Sequence, residues 1–271
     1  MLADTYEPGM FLPERFHVQP KLDGMRVVIH STTGEIWSRP GVGKDEGIKQ
    51  YMPHITEAVK KLGLGAEMWL DGELYAHGYT FQEIMKFIRS HIESERQKLS
   101  FMLFDCVCPL EFAARLKIIE NIGKVAKGKD IKHVQTVQTF WIERSELEFY
   151  HSKMVEFKFE GLMIRLPGAK YLTGVRTPTL LKRKDSKEMT ARVVGFNQQK
   201  DGAQILGSFK CVGDNGVEFD ARPKGKDKER KQYWMMQKDY LGKLVDVEYK
   251  EISKSGKPRE PRVKRFRPDL D

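Results

Sequence analysis

A lysine at the start of a tight turn is the first feature of this sequence that could carry out chemistry. Lys21-Leu22-Asp23-Gly24 directly precedes a predicted strand, and Gly24 would let the backbone approach a ligand closely. A lysine amine is a nucleophile only when it is neutral, and its usual pKa is about 10.4. We therefore expect burial or neighbouring positive charge to lower the pKa of Lys21. A motif of four residues is, on its own, more often an ordinary surface turn.

Two carboxylates and two further lysines stand at the ends of other predicted strands. Glu73 lies inside an apolar run, and Glu160 immediately precedes another. Lys182 and Lys184 are two residues apart, so they project from the same face of a strand. Carboxylate oxygens suit Mg²⁺, and lysines neutralise phosphate charge. The set predicts a pocket for a triphosphate with Glu73 and Glu160 as metal ligands, although solvated lysines on an edge strand are the ordinary alternative.

The elements that must position these residues alternate between strands and helices as far as about residue 185. Capping boxes at Thr80 and Ser145 mark the starts of two of the helices. This pattern predicts an α+β domain in which sheets are flanked by helices. Periodicity predicts strands over 25–30, 35–38, 66–75, 100–108, 133–142, 161–166 and 179–184, and helices over 45–62, 80–98, 111–127 and 145–159.

The last third of the chain has a different pattern. Strands are predicted over 191–198, 205–212, 217–222 and 243–252, with one helix over 227–240. Several strands and one helix in such a short segment are typical of a small, partly open β-barrel. A polar segment without apolar periodicity separates the two patterns, so we expect domains over residues 1–187 and 188–271.

The composition favours a folded protein with a phosphate-rich partner. Hydrophobic residues make up 40% of the chain, enough for substantial cores, which argues against a disordered protein. The net charge is +9, and from Thr190 onward 19 basic residues face only 13 acidic ones. Residues 222–231 contain six basic and two acidic side chains, which indicates either a contact with nucleic-acid phosphates or a solvated loop.

Several classes of protein are disfavoured by what the sequence lacks. No apolar run reaches the length of a membrane-spanning helix, and the first residues do not resemble a signal peptide. The three cysteines cannot all pair, and no Cys/His cluster has zinc-ligand spacing. We therefore expect a protein of a reducing compartment, cytoplasmic or nucleoid-associated, of viral or cellular source, with no membrane partner.

Six short motifs in a fixed order resemble those of the covalent nucleotidyltransferase superfamily, and in particular of its ATP-dependent DNA ligases. The run of residues 259–269, which ends in Arg265-Phe266-Arg267-Pro268-Asp269, resembles the last motif of DNA ligases. Glu260 and Lys264 depart from that motif, which has apolar residues there. The six motifs are Lys21-x-Asp23-Gly24, Ser38-Arg39-x-Gly41, Asp71-Gly72-Glu73, Phe104-Asp105, Glu160-Gly161 and Lys182-x-Lys184.

The resemblance covers nearly the whole chain and implies both a fold and a reaction. The fold would be a nucleotidyltransferase (adenylation) domain of antiparallel sheets flanked by helices, followed by an OB-fold barrel. The reaction would be nick sealing in duplex DNA with ATP and Mg²⁺, or Mn²⁺ as a substitute. Lys21 would attack the α-phosphate of ATP and carry AMP. The AMP would pass to the 5′-phosphate at the nick, and the 3′-hydroxyl would then displace it.

The resemblance also implies roles for individual residues of the first domain. Phe104 would stack on adenine, Gln19 would read it, and Arg39 would contact the 5′-phosphate of the nick. Asp23 would serve the later DNA steps or hold the turn. Lys182 and Lys184 would hold the α-phosphate and assist catalysis, and Glu73 would hold the ribose or the metal. Arg26 would lie near the DNA phosphate or the nucleotide, and Leu22 and Arg165 complete the nucleotide site.

In the C-terminal motif, the resemblance implies that four residues orient the leaving pyrophosphate, namely Arg259, Arg262, Arg267 and Asp269. The helix predicted over 227–240 occupies the place where some small ligases insert a DNA-encircling latch. Because Lys21 stands so near the start of the sequence, we expect no preceding DNA-binding domain. We therefore expect a minimal two-domain enzyme that acts as a monomer.

Three alternatives stay open at this point. An RNA ligase and an mRNA-capping guanylyltransferase share the lysine chemistry. The RNA ligase differs from a DNA ligase in its acceptor strand, and the capping enzyme differs in using GTP instead of ATP. A non-catalytic protein with an OB-like barrel would bind nucleic acid without needing Lys21, Glu73 and Glu160 together. An NAD-dependent ligase is disfavoured because zinc-finger cysteines are lacking.

Overall fold

The computed structural model of the chain describes residues 1–38, 52–200, 203–253 and 255–267. Arg39 and Asp269, and the first part of the helix predicted over 45–62, lie outside the described residues. The chain divides into two units, Met1–Lys184 and Asp185–Asp271. The domain boundary that we predict from the sequence lies slightly further along, at the start of the first strand of the second unit.

The first unit contains two mixed sheets and the helices that cover them. Its strands are β1 (Leu2–Thr5), β2 (Arg15–Lys21), β3 (Met25–His30), β4 (Ile36–Ser38), β5 (Trp69–Tyr75), β6 (Ser100–Cys106), β7 (Val134–Thr136), β8 (Phe140–Glu143), β9 (Gly161–Arg165) and β10 (Arg176–Lys184). Its helices are α1 (Pro53–Lys61), α2 (Phe81–Arg89), α3 (Glu93–Arg96), α4 (Phe112–Gly128) and α5 (Leu147–Glu156), and Arg144–Glu146 forms a 3₁₀ turn.

The two sheets of the first unit are antiparallel in their interiors and parallel at one edge each. The first has the strand order β1-β10-β9-β2-β8, and the second has the order β4-β3-β5-β6-β7. Only the edge pairs β1–β10 and β6–β7 are parallel among the described strands of these sheets. This confirms the expected α+β class, with sheets and flanking helices.

Each sheet buries one face and keeps polar side chains on the other, because side chains alternate along a strand. In the first sheet the buried face includes Phe16, Val18, Leu162, Ile164 and Leu181, which share a core with the helix α5. In the second sheet the alternate residues of β3, β5 and β6 form a larger core with α1, α2 and α4, including Val27, Ile29, Leu70, Leu74 and Phe101. The opposite faces are therefore available for chemistry.

Three local predictions differ from the structure. The strand expected over 133–142 is two strands, β7 and β8, which belong to different sheets. The helix expected over 80–98 begins with the predicted capping box at Thr80 but is interrupted at Ser90, whose hydroxyl accepts a hydrogen bond from the backbone of Ile92 (3.1 Å) and so competes with the helix. The predicted capping box at Ser145 is wrong, because that residue lies in the 3₁₀ turn and Glu143 and Glu146 form the reciprocal contacts.

The second unit is a five-stranded barrel. It contains β11 (Lys187–Gln198), β12 (Leu206–Gly213), β13 (Glu218–Pro223), α6 (Asp227–Met235), α7 (Gln237–Tyr240), β14 (Leu244–Tyr249) and β15 (Arg262–Phe266). The order β11-β12-β13-β15-β14 closes on itself because β14 pairs with β11, while β15 pairs in parallel with β13 and antiparallel with β14. The barrel is consistent with an OB fold, and it is closed where we expected it to be partly open.

None of the helices in the described part of the chain combines the length and the apolar character needed to cross a membrane.

Gly161 lets three strands of the first sheet come together beside the residues of chemical interest. It pairs in register with Lys21 of β2 on one side and with Lys184 of β10 on the other. Its φ of +144° is strained for any residue with a Cβ, and such an atom would lie 2.2 Å from the carbonyl oxygen of Arg183. A glycine is therefore required at this position.

We expect Gly161→Ala to lower the free energy of unfolding by about 3 kcal/mol or more, because it adds backbone strain to a clash with the backbone of β10. Urea denaturation measures the change. The matched control is Gly128→Ala, at the end of α4, where a Cβ meets nothing within 4 Å. Equal stability of the two variants would contradict the close approach of these strands.

Candidate active site

The polar faces of the two sheets of the first unit carry most of the residues that the sequence singles out. On the first sheet, β2, β9 and β10 present alternate residues on one face, among them His17, Gln19, Lys21, Arg165, Lys182 and Lys184. On the second sheet, β3 and β5 place Arg26 directly opposite Glu73. The contacts described below join the two faces into one site.

Lys21, Glu160 and Lys184 form the central ion cluster. Lys21 is the last residue of β2, and its Nζ donates a hydrogen bond to Oε2 of Glu160. Nζ of Lys184 lies 3.4 Å from the other carboxylate oxygen, Oε1. The Glu160 side chain is only 8% exposed, and its backbone nitrogen donates to the carbonyl of Lys21 (2.9 Å). The structure thus brings together three of the predicted site residues around one buried carboxylate.

The pKa of Lys21 is shifted in the direction opposite to our expectation. Burial alone would lower the pKa of this ammonium, but the Glu160 carboxylate, helped by Glu73 and Asp23, outweighs burial and raises it. The prediction of a lowered pKa is therefore wrong for the site as described. Positive neighbours were expected, whereas carboxylates surround the amine more closely.

Glu73 ties the turn of the lysine motif to the second sheet. Its Oε1 accepts a hydrogen bond from the backbone nitrogen of Gly24 (2.7 Å), and a Cβ at Gly24 would lie 2.3 Å from the carbonyl oxygen of Leu74. Burial raises the pKa of Glu73 from its ordinary 4.5 to about 7, and the opposing effects of Lys21 and the Gly24 N–H only partly offset it. Glu73 is therefore a carboxyl group able to hold or release a proton near neutral pH.

The other residues of the lysine and Lys182 motifs have different surroundings. Leu22 is 6% exposed and belongs to the core of the second sheet. Asp23 lies close enough to Lys21 to raise its pKa. Burial, followed by the charge of Asp23, raises the pKa of Tyr75 to about 12. Lys182 pairs in register with Met163 on the same sheet face as Lys21.

A bulge in β6 directs Phe104 towards the site. Asp71 of β5 pairs with Asp105, and the next residue, Gly72, pairs with Leu103, so Phe104 is the additional residue. A bulge lets two consecutive residues point to the same side of a sheet. The guanidinium groups of Arg26 and Arg165 lie 5.7 and 5.4 Å from the Phe104 ring centroid. Phe104 is partly exposed, which leaves its ring available to a planar ligand.

Arg26 is engaged by the protein itself. Its Nε and Nη2 donate to the two carboxylate oxygens of Asp71 (2.9 and 2.6 Å), and Nη1 donates to the carbonyl of Met1 (2.6 Å). Tyr171 donates to the same carboxylate (2.8 Å). Burial lowers the pKa of Arg26, but Asp71 outweighs burial and raises it. These contacts give Arg26 a bidentate partner that the sequence did not reveal.

A second buried network lies behind Phe104. Arg165 donates through Nη1 to Asp105 (2.6 Å) and through Nε to Oε1 of Gln19 (2.5 Å). Arg115, which is fully buried, donates to both oxygens of Asp105 (2.7 and 3.2 Å). A guanidinium only donates hydrogen bonds, so the Gln19 atom that accepts from Arg165 is the amide oxygen. The amide nitrogen of Gln19 then donates to Thr139 (2.9 Å).

Sequence reasoning gave Asp71 no role, although this residue lies in one of the six motifs, and it missed Arg115, Tyr171 and Thr139 as members of this site. The available signal was charge at positions where periodicity predicts apolar residues, as at Asp105 in a strand and Arg115 in a helix. A buried charge requires a partner of opposite sign, so these residues could have been paired from the pattern. Gln19, the predicted reader of adenine, is 1% exposed and already engaged through both ends of its amide.

The predicted C-terminal residues lie in the second unit. Arg259, just before β15, pairs with Glu251. Arg262 is an exposed residue of β15. Nη1 of Arg267 lies 3.4 Å from Oγ1 of Thr190 and 3.6 Å from Oδ1 of Asp246.

Glu73 and Glu160 fit a divalent cation of the Mg²⁺ type. Within the described ranges no group of three or more His, Cys, Asp or Glu side chains is arranged to enclose a metal ion. Mg²⁺ commonly uses one or two carboxylates together with substrate phosphates, and a carboxylate pair beside two lysines suits that manner of binding. The donor set is thus compatible with a cation shared with a phosphate ligand.

Two family descriptions match the chain, one in each unit. The description "ATP dependent DNA ligase domain" matches residues 1–184. The description "DNA ligase OB-like domain" matches residues 201–267.

Curated relatives are named DNA ligases. One from African swine fever virus is 26% identical over 240 residues, covering 81% of this chain and 56% of the relative. One from Archaeoglobus fulgidus is 26% identical over 229 residues, covering 78% of this chain and 40% of the relative. The chain therefore spans about half the length of these relatives.

Solved structures with this fold are similar over nearly the full chain. A Lig E DNA ligase described as binding DNA with a minimal scaffold aligns with a TM-score of 0.74 at 24% identity, covering 98% of each chain. The Chlorella virus DNA ligase-adenylate aligns with a TM-score of 0.54 at 25% identity, also covering 98% of each chain.

We expect Asp105→Asn to lower the free energy of unfolding by about 3–5 kcal/mol, because it leaves the guanidiniums of Arg115 and Arg165 buried without their carboxylate. Urea denaturation provides the measurement. Glu156→Gln is the control, since it breaks an exposed ion pair with Lys153 and is expected to cost less than about 1 kcal/mol. If Asp105→Asn were as stable as this control, the buried network would not hold the site together.

The raised pKa of Glu73 predicts a pH-dependent loss of stability. The folded state binds this proton more tightly than the unfolded state, so ionisation destabilises the protein as pH rises from 4.5 to 7. Glu73→Gln removes this effect, and its stability relative to the wild type should increase by about 3 kcal/mol between pH 4.5 and 7.5. Urea titrations of both proteins at the two pH values test this, and a constant difference would refute it.

Proposed function

The chain belongs to the ATP-dependent DNA ligase family, and on that premise we propose that it seals nicks in duplex DNA with ATP as the source of AMP. The observation that carries the proposal is the position of Lys21 at the end of β2, bound to the buried Glu160 and adjacent to Glu73. A non-catalytic binding protein would have no need to bury this set of charges.

In the first step, Nζ of Lys21 attacks the α-phosphorus of ATP. A P–N bond forms, the bond between the α-phosphorus and the bridging oxygen breaks, and pyrophosphate leaves. Lys21 has to lose a proton, and the contact of Nζ with Oε2 of Glu160 makes that oxygen our candidate acceptor. Lys182 and Lys184 on the same face stabilise negative charge on the phosphate oxygens.

The remaining nucleotide contacts follow from the surroundings of Phe104. Its partly exposed ring is our candidate for stacking on adenine, and the buried network of Gln19, Arg165 and Asp105 keeps it in position. Gln19 and Leu22 have buried side chains, so we propose that they contribute through the backbone and through packing. Arg26 contributes by holding Asp71 and the Phe104 ring.

We propose Glu73 and Glu160 as the residues that hold Mg²⁺, or Mn²⁺ in its place. When bound, the cation supplies positive charge against the phosphate oxygens. Glu73 has to be ionised to act as a ligand, and its raised pKa makes metal binding depend on pH around neutrality.

In the second and third steps, AMP moves to DNA and is displaced. An oxygen of the 5′-phosphate at the nick attacks the α-phosphorus, and the P–N bond to Lys21 breaks. The 3′-hydroxyl then attacks the activated 5′-phosphate, the phosphodiester forms and AMP leaves. We propose that Arg39 contacts the 5′-phosphate and that Asp23 serves these two steps, because Asp23 lies beside the lysine without being its principal partner.

We propose that residues 1–187 carry out the nucleotidyl transfer and that residues 188–271 assist it. Arg259, Arg262, Arg267 and Asp269 are our candidates for orienting the leaving pyrophosphate. Exposed basic side chains of residues 222–231, such as Lys228 and Lys231, are candidates for contacts with the DNA backbone. The protein would act as a monomer inside the cell, in keeping with the free thiols of its three cysteines.

Covalent labelling tests the proposal. We expect the protein, incubated with Mg²⁺ and ATP labelled on the α-phosphate, to give a labelled band on a denaturing gel. Lys21→Ala should abolish it, and so should Lys21→Arg, which keeps a cation beside Glu160 but removes the nucleophilic amine. The folded state of both variants is checked by urea denaturation.

The acceptor is tested with the labelled protein and nicked duplexes. Chase of the label onto nicked DNA, followed by sealing, supports a DNA ligase. Transfer confined to an RNA strand would indicate an RNA ligase, and labelling by GTP instead of ATP would indicate a capping enzyme. No label in folded protein that does not already carry AMP would refute the lysyl-AMP mechanism.

A further inference from the structure

A bulge in the last described strand orients the C-terminal arginines. In the pairing of β14 with β15, Val247 lies opposite Val263 and Asp246 lies opposite Arg265, so Lys264 is the additional residue. The shift allows Val263 and Phe266, three positions apart, both to pack in the barrel core. Regular alternation would direct one of them outward. The bulge therefore places Arg265 on the outer side of the barrel.

Asp246 is the carboxylate to which these arginines bind. Its Oδ2 accepts a hydrogen bond from Nε of Arg265 (2.6 Å), and its Oδ1 lies 3.6 Å from Nη1 of Arg267. The same Nη1 donates to Oγ1 of Thr190 at 3.4 Å, and Thr190 is the register partner of Asp246 on β11. One carboxylate thus links two arginines that are two residues apart.

The burial of Asp246 differs from that of other acids on the barrel. Asp246 is 7% exposed, although its neighbours Val245 and Val247 are the residues that point into the core. Arg265, in contrast, is 69% exposed. A carboxylate in such a position requires charged partners, so its burial beneath the arginines makes their positions depend on it. The arginines can still meet an anionic ligand, because the Arg265 side chain reaches solvent.

We propose that Asp246 is a positioning residue that holds Arg265 and Arg267 side by side for binding the pyrophosphate group. This inference rests on the proposed function, in which Arg267 orients the leaving pyrophosphate. Two adjacent guanidiniums suit an anion with several oxygens, and the two oxygens of one carboxylate determine their separation. Arg265 then joins the phosphate-binding residues, although the family resemblance did not single it out.

The reverse of the first step isolates this role. Pyrophosphate attacks the α-phosphorus of the adenylated enzyme, the P–N bond to Lys21 breaks and ATP forms. We expect Asp246→Asn to raise the pyrophosphate concentration for half-maximal discharge roughly tenfold, because the amide does not hold both guanidiniums. Sealing of a nick that already carries AMP should keep its wild-type rate, since no pyrophosphate takes part. Asp246→Glu, which retains the charge, should restore part of the loss.

Two controls separate positioning from general damage. Glu248→Gln removes a carboxylate from the same strand, one that pairs with Lys224 (3.1 Å), and should leave the pyrophosphate dependence unchanged. In a double-mutant cycle, Asp246→Asn should weaken pyrophosphate binding less in the Arg267→Gln background than in the wild type, because only its effect through Arg265 is left. Melting temperatures of all variants report on folding.

Three outcomes would overturn the proposal. An unchanged pyrophosphate dependence of Asp246→Asn in an enzyme that forms the AMP adduct would refute the role of Asp246 and leave the ligase function intact. An equal loss in sealing of the pre-adenylated nick would show a general structural role instead. A wild-type protein that takes up no AMP would refute the proposed function, and the role of Asp246 with it.

Discussion

The pairing of Glu160 with two lysines is the interaction on which the candidate site depends. A carboxylate so nearly removed from water is stable only with partners of opposite charge, and Lys21 and Lys184 supply them from the strands on either side of β9. Gly161 pairs with both lysines, and there the strands approach so closely that any Cβ would meet the backbone of β10. One glycine and one carboxylate therefore determine where the lysine amine lies.

The same enclosure raises the pKa of both Lys21 and Glu73, which favours the charged form of the lysine and the neutral form of the glutamate. Lys21 has carboxylates as its nearest charged neighbours, and they raise its pKa in spite of burial. Glu73 is desolvated without full compensation, so its pKa rises towards neutrality. The lysine is thus held as an ammonium while it is bound to Glu160. Weakening that contact would return the pKa of Lys21 towards its ordinary value. The pairing with Glu160 therefore controls how readily the proposed nucleophile loses its proton.

Two β-bulges position residues that regular alternation would misplace. In β6 the additional residue is Phe104, and both Phe104 and Asp105 contact Arg165 as a result. In β15 the additional residue is Lys264, and Arg265 meets Asp246 as a result. In each case a buried carboxylate binds two arginines, so that rigid ion networks support the more exposed groups that would touch a ligand.

The sequence by itself determined the α+β class, the succession of a helix-rich region and a barrel, and the group of Lys21, Glu73, Glu160 and Lys184, because alternation and charge at strand ends are local signals. Only the tertiary structure decided which charges meet. It paired Arg26 with Asp71 and Arg165 with Asp105, separated β7 from β8, and raised the pKa of Lys21 where the sequence suggested the reverse. Contacts and pKa shifts depend on distances between segments remote in the chain. A one-residue bulge changes those distances, and local periodicity does not give the contacts that result.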